Sequence, residues 1–240
     1  MAFDEFVTVQ KALAAILAAY LLGSIPSAYI AARLRGVDIF ATGKGTAGTA
    51  NVFWNIGKRT GTVVFIGDVA KGSAAVLIAR LLEVPLPIVL VAAGAAILGH
   101  WKPVFARFRG GDGMATLMGT TLALTPILAP LGIVAGFAMI LVLRRSVWRS
   151  SYGIATCFAI MMSLSLYYQQ DRGLVLGLSG LAGLVLARSS FAHWRRGRVA
   201  LADAIALDLE KLDLDLELEL ELELELDLES DLGPASPENH

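Results

Sequence analysis

The chain holds a single cysteine, Cys157, and three histidines, His100, His193 and His240. One cysteine excludes an intramolecular disulfide and a cysteine-based metal cluster. The histidines show no metal-ligand spacing, so neither a metal nor a cofactor is expected. Charge is scarce as well: Asp, Glu, Lys and Arg make up 17% of the residues, where an ordinary soluble domain has about a quarter. The chain begins with Asp4 and Glu5 rather than a basic stretch, and no small-residue cleavage site follows the first apolar run. That run reads as a retained helix rather than a cleavable signal. No internal repeat appears, and no ladder of acids lies within the apolar runs, which argues against a transporter or channel.

What is present in excess is hydrophobic residue, 56% of 240 positions, with a mean hydropathy of +0.65. The apolar residues fall in long runs, several near the ~20 residues that cross a ~30 Å hydrocarbon core. The expectation is an all-α polytopic membrane protein of about seven spans. They cover residues 13–32, 62–82, 86–101, 114–124, 127–143, 154–168 and 174–186. The fourth is short enough for a half-span lining a cavity. Pro126 and Pro130 argue for a break between it and the fifth.

Charge orients these spans. Fifteen Lys and Arg residues cluster where the odd-numbered spans end, from Arg33 to Arg198, against Lys11, Arg80 and Arg172 on the opposite side. The positive-inside rule then places the N-terminus outside and the C-terminus in the cytoplasm. Residues 1–202 carry a net charge of +12 and residues 203–240 one of −13. The chain is thus read as a basic membrane body, residues 1–198, with an acidic low-complexity tail, residues 199–240. Within the tail, residues 207–228 alternate Leu with Asp or Glu almost without exception. Period two is a strand pattern, but like charges opposite one another disfavour pairing. A disordered tail is expected, with an electrostatic partner for the basic face, or a cation binder, as the alternative.

Four segments carry polar chemistry. Within the first span, Gly23-Ser24-Ile25-Pro26-Ser27-Ala28-Tyr29 should kink at Pro26. It is either a packing kink between small residues or a place where Ser24 offers a hydroxyl to a polar site. The second is Gly43-Lys44-Gly45-Thr46-Ala47-Gly48-Thr49-Ala50-Asn51, which lacks P-loop spacing. It reads as an anion-binding loop carrying Lys44, or as a flexible connector. The third is Asp68-Val69-Ala70-Lys71-Gly72, inside the second span. Asp68 and Lys71 share a helical face, as a structural ion pair or with Lys71 turned towards a phosphate. The fourth runs from Leu98-Gly99-His100-Trp101-Lys102-Pro103 through Arg107-Phe108-Arg109 to Gly110-Gly111-Asp112-Gly113 at the start of a helix. Exposed N–H groups at a helix N-terminus favour anions. Two glycine-rich basic loops at one membrane face point to phosphate handling at the bilayer surface.

Taken in this order, these segments resemble the acyl-phosphate:glycerol-3-phosphate acyltransferase family, the PlsY type, over about residues 12–198. The resemblance implies a helical membrane enzyme with a cytoplasmic active site in the plasma membrane. Its reaction moves a fatty acyl group from acyl phosphate to glycerol-3-phosphate, giving lysophosphatidic acid and inorganic phosphate for phospholipid synthesis. Membrane lipids are the surroundings, no nucleic acid is expected, and no protein partner is implied. Ser24, Lys71 and His100 are the catalytic candidates. Gly43, Lys44, Gly45, Gly48, Asn51, Lys102, Arg109, Gly110 and Gly111 are the substrate-binding candidates.

The chain departs from the family pattern at polar positions. Lys44 stands for a Ser, Thr46 for an Asn, Trp54 for an Arg and Asp112 for a Lys. Trp148 aligns with a Ser before the sixth span. Ala187, Arg188 and Ser190 align with a His-Arg-x-Asn run after the seventh. Two functions remain open: an acyltransferase with a remodelled site, and a catalytically impaired, lipid-binding or regulatory relative that keeps the fold.

Overall fold

The structure is a computed structural model that describes residues 2–146, 148–169 and 171–231. Nine α-helices and no strand occur among them: α1 Ala2–Gly23, α2 Ser27–Arg33, α3 Thr49–Asn55, α4 Lys58–Leu81, α5 Leu86–Trp101, α6 Met114–Leu124, α7 Ala129–Val142, α8 Arg149–Tyr167 and α9 Arg172–Asp231. Five helical segments among the described residues are long and apolar enough to cross a membrane. At ~1.5 Å per residue, α6 and α7 are about 17 and 21 Å long, short of a full crossing. The Thr125–Leu128 break between them falls where Pro126 and Pro130 forbid a continuous helix.

Three expectations shift. Pro26 does more than kink the first span: the helix stops at Gly23 and restarts at Ser27, because proline donates no N–H to the ladder. The first glycine-rich segment is only half a loop, since Thr49–Asn55 winds into α3. The acidic tail is helical as far as Asp231. Leu and Glu are strong helix formers, and no proline interrupts residues 131–233. As a helix the two-residue alternation spreads leucines round the whole circumference, and residues 201–218 are exposed. Residues 232–240, expected to be disordered, lie outside the described residues.

The chain divides into one compact unit that ends at Ser189 and a second that begins at Ser190, nine residues before the boundary read from the sequence. The first unit is built on close helix contacts through glycine. Membrane helices gain little from hydrophobic association, so small residues that admit close packing decide the interfaces. Gly72 and Gly119 bring α4 against α6, where a β-carbon on either would collide with the backbone of Thr116 or Val69. Gly23 and Gly99 do the same between α1 and α5. Gly132, Gly136 and Gly153 pack α7 on α8 around Cys157. The core they enclose is rich in alanine, with Ala15, Ala19, Ala75, Ala92, Ala93 and Ala96 essentially inaccessible.

Candidate functional site

The polar segments converge at one end of this bundle. Asn51, 2% exposed, organises the first loop. Its amide nitrogen donates to the Ile39, Thr42 and Thr46 carbonyls at 3.3, 2.9 and 3.0 Å. Its Oδ1 accepts from the Lys44 backbone N–H at 3.1 Å and from Asn55 at 2.9 Å. The loop can wrap around this amide because Gly43 and Gly45 take left-handed φ angles of +54° and +64°, which side chains disfavour. Asn51 is therefore a loop organiser whose polar atoms are bonded within the protein.

The second loop folds back onto the end of α5. Gly111 donates its N–H to the His100 carbonyl at 3.2 Å. Trp101 Nε1 donates to the Asp112 carbonyl at 2.9 Å. The turn before it places Arg107 and Phe108 at positive φ, 50° and 60°, an unfavourable backbone for bulky residues that the surrounding packing has to impose. Gly113, at φ +88°, then caps the start of α6.

Both loops meet over His100. A β-carbon on Gly111 would stand 2.6 Å from His100 Nε2, 2.6 Å from the Ala47 carbonyl and 3.0 Å from the Gly48 Cα. Behind His100 lies Asp68, 1% exposed. Its Oδ1 is 2.8 Å from Lys71 Nζ and 3.7 Å from His100 Nδ1. Its Oδ2 accepts from Thr49 Oγ1 at 3.1 Å. Lys71 also donates to the Ile25 carbonyl, in the α1–α2 break, at 3.0 Å. The buried charges thus satisfy one another, as membrane depth demands.

A cavity of about 510 Å³ opens beside this cluster. Its polar wall includes Lys44, Thr46, Thr49, Asp68, His100 and Asp112. Its apolar wall comes from α6, α7 and α8, with Leu117, Met118, Ile133, Phe137, Ile140 and Phe158. The cavity thus combines polar and hydrocarbon-like lining.

The structure brings Lys44, Gly48, Asn51 and His100 to the cavity and sets Gly111 against His100. Other candidates fall elsewhere. Lys71 is turned into its ion pair rather than into the cavity wall. Ser24 is fully buried at the α1–α5 crossing, and its hydroxyl finds no hydrogen-bond partner among the described residues. Arg109 is exposed and stacks over the Phe40 ring at 4.0 Å. Lys102 is also exposed, and its carbonyl accepts from the Tyr20 hydroxyl at 2.9 Å. Gly43 and Gly45 shape the first loop, and Gly110 packs on the His100 and Trp101 carbonyls.

The sequence reading left Arg144, Arg149 and Ser150 out of the site. They line the same cavity, Arg144 from the α7–α8 turn and Arg149 and Ser150 from the start of α8, with Arg149 donating to the Arg144 carbonyl at 2.9 Å. The available signal was a pair of arginines and a serine flanking the start of a span. Ser150 places a hydroxyl-bearing residue in the wall, while Trp148, aligned with the family's Ser, is not part of it. Arg188 stands over the Trp101 ring at 4.9 Å and is drawn electrostatically to Asp112.

A bundle of helices with glycine-rich loops beside a cavity of mixed polar and apolar lining defines the class, a helical membrane protein. The chain belongs to the glycerol-3-phosphate acyltransferase family, whose sequence profile it matches over residues 13–197. The glycerol-3-phosphate acyltransferase of Geotalea daltonii is 39% identical over 183 residues, covering 76% of this chain and 92% of that one. Among solved structures, PlsY (YgiH), an integral membrane glycerol 3-phosphate acyltransferase, matches in its glycerol 3-phosphate form with a TM-score of 0.65 at 29% identity. That match covers 78% of this chain and 93% of the other. The lysophosphatidic acid form of PlsY matches with a TM-score of 0.63 at 28% identity, over the same shares.

Proposed function

We propose that this chain is a membrane acyltransferase that moves a fatty acyl group from acyl phosphate to glycerol-3-phosphate. The products are lysophosphatidic acid and inorganic phosphate. The observation that carries this reading is the meeting of Gly48 and Gly111 over His100, beside a cavity lined by both polar and hydrocarbon-like residues. A donor with a phosphate head and an acyl tail needs both. Acyl phosphate is already activated, so the protein has mainly to position two phosphates and neutralise developing charge. Lys44, the α6 N-terminus, Arg144 and Arg149 supply positive potential in the cavity, and the α6–α8 wall receives the chain. Lys102 and Arg109, at the surface, would meet phosphates before they enter.

The topology that fits is seven spans, with α6 and α7 as the two short ones, the N-terminus outside and the loops in the cytoplasm. The charge asymmetry supports it. The protein then works at the inner face of the plasma membrane, where phosphorylated metabolites are.

The test is product formation by purified protein in lipid, from palmitoyl phosphate with and without glycerol-3-phosphate. Acceptor-dependent lysophosphatidic acid is the expected outcome. A folded protein that gives none, beside an active relative, would overturn the reading. Two carboxylates in the cavity wall, Asp68 and Asp112, favour the second reading in that event: a relative that binds lipid without turnover.

A further inference from the structure

Outside the cavity, a row of four side chains ties α2 to both glycine-rich segments. Arg33, at the end of α2, lies over the Tyr29 ring at 5.7 Å. Tyr29 stacks on Phe40 with ring centroids 5.9 Å apart. Arg109, from the second segment, lies over the Phe40 ring at 4.0 Å. Both rings are half-buried, and both arginines are exposed. An arginine stacked on a ring is held in place while its N–H donors stay available. The row therefore fixes two guanidiniums at the surface.

Large apolar side chains face outward beside it. Leu34 is 82% exposed, Phe105 60% and Phe108 54%. Phe105 and Phe108 belong to one tight turn, in which the Phe108 N–H donates to the Pro103 carbonyl at 2.9 Å and the Arg109 N–H to the Ala106 carbonyl at 3.0 Å. Residues 101–111 hold no acid, and the one acid of residues 33–45 is Asp38, whose Oδ1 accepts from the Phe40 N–H at 2.9 Å. The surface is basic and apolar at once.

Its level in the bundle is set by α1 and α5. These pack closely near their C-terminal ends, through Gly23 and Gly99, and the Tyr20 hydroxyl reaches the Lys102 carbonyl at 2.9 Å. The two apolar segments that contain them, long enough to cross a membrane, end at Arg33 and Ala106. The row thus lies where two neighbouring spans end, at the depth of the lipid headgroups. There, aromatic side chains and basic groups on an apolar body find both of the surroundings they need.

We propose that this surface docks the headgroup of an anionic bilayer lipid. Arg33 and Arg109 take the phosphate oxygens through charge-assisted hydrogen bonds, and Phe105 and Phe108 lie against the upper part of the acyl chains. The occupant is a resident lipid of the membrane and not a reacting substrate, since none of these four residues, nor Tyr29 or Phe40, lines the cavity. A lipid fits better than an acidic soluble protein because the exposed phenylalanines sit where spans end. A lipid docked there would brace the second segment against the first.

The experiment places the full chain in nanodiscs of phosphatidylcholine with a minor share of phosphatidylglycerol. It then extracts the protein gently and measures by mass spectrometry which lipids stay bound. The parent should retain phosphatidylglycerol well above its share in the disc, and less of it at high salt, which screens exposed charge. Arg33→Gln should lower that enrichment about fivefold, the factor for one basic residue at an anionic surface. Phe108→Asn should lower it further, with the turn kept, because asparagine tolerates a positive φ. Phe105→Ser tests the apolar part without touching the left-handed positions, and melting curves check the fold of every variant. Inorganic phosphate should not displace the lipid, having no chain for the phenylalanines to hold.

A parent that retains the two lipids in the proportion of the disc overturns the proposal. So does enrichment that persists in Arg33→Gln and Phe105→Ser proteins that melt with the parent. Displacement by inorganic phosphate overturns it too, and would make the surface a simple anion site. Acyl transfer is not the readout, so none of these outcomes bears on the acyltransferase reading.

Discussion

Gly48 and Gly111, from loops far apart in sequence, pack backbone to backbone above the His100 ring, where a β-carbon on Gly111 would lie 3.0 Å from the Gly48 Cα. The contact joins the end of the first glycine-rich loop to the start of the second. It leaves no room for a side chain on Gly111.

Gly111→Ala should therefore push the loops apart by a few tenths of an ångström or more, because backbone atoms rather than flexible side chains are in the way. If the loops jointly hold phosphate, acyltransferase activity should fall by about 100-fold, the scale reported for ångström-level misplacement. Thermal stability should move much less. Steady-state rates with a melting curve on the same preparation check this, and an active alanine variant would refute the joint site.

Asn51→Ala removes five hydrogen bonds that tie residues 39–55 together. At about 1 kcal/mol for each bond, with part regained by relaxation, a loss of about 2–4 kcal/mol is expected. It should appear as a lower melting temperature and faster proteolysis at residues 41–48. Asn51→Asp should fare little better, since a carboxylate cannot donate to three carbonyls.

Asp112 puts a carboxylate in the cavity wall where the proposed substrates carry phosphates. Asp112→Asn should lower the KM for glycerol-3-phosphate, by about tenfold if one like-charge contact worth ~1.4 kcal/mol is relieved. Asp112→Lys should do at least as well. An unchanged KM in both would mean that the acceptor phosphate binds away from Asp112.

Gly119 faces the Val69 backbone, and α4 cannot approach α6 if a larger residue stands there. Gly119→Leu should prevent the Asp68 cluster from assembling and abolish activity, with a melting temperature lower by several degrees. Gly180, with open space around its Cβ position, should accept alanine without loss. The pair separates a packing effect from a general intolerance of substitution at glycine.

Much of the architecture was readable because hydrophobic length is a one-dimensional property. The 86–101 and 114–124 segments coincide with α5 and α6 as read, since apolar runs bounded by proline, glycine and charge leave the backbone few alternatives. The first loop was less readable. Its glycines announced a turn, but α3 depends on Asn51 bonding to carbonyls as distant as Ile39, which no local pattern records. The tail was read as disordered, because its two-residue period sets like charges against strand pairing; leucine and glutamate each favour helix, and α9 continues to Asp231.

Among the candidate site residues the division has the same origin. Lys44 and His100 were nameable from the company of glycine and basic residues. Arg144, Arg149 and Ser150 were not, because what makes them site residues is a cavity wall assembled by six helices, α3 to α8. The spacing of three on one helix offered the pairing of Asp68 with Lys71 as one of two readings. The approach of His100 and Thr49 to the same carboxylate did not, as each comes from a different helix.

The sequence by itself determined that this is a helical membrane protein, and that glycine and charge gather at the ends of its apolar runs. Those follow from transfer of apolar side chains into lipid and from local backbone freedom, both written residue by residue. Only the tertiary structure decided that Gly48 meets Gly111, that Lys71 serves Asp68 instead of the cavity, and that Arg109 lies on Phe40. These depend on how closely helices pack, and a glycine on one helix fixes that distance only when its partner backbone is known.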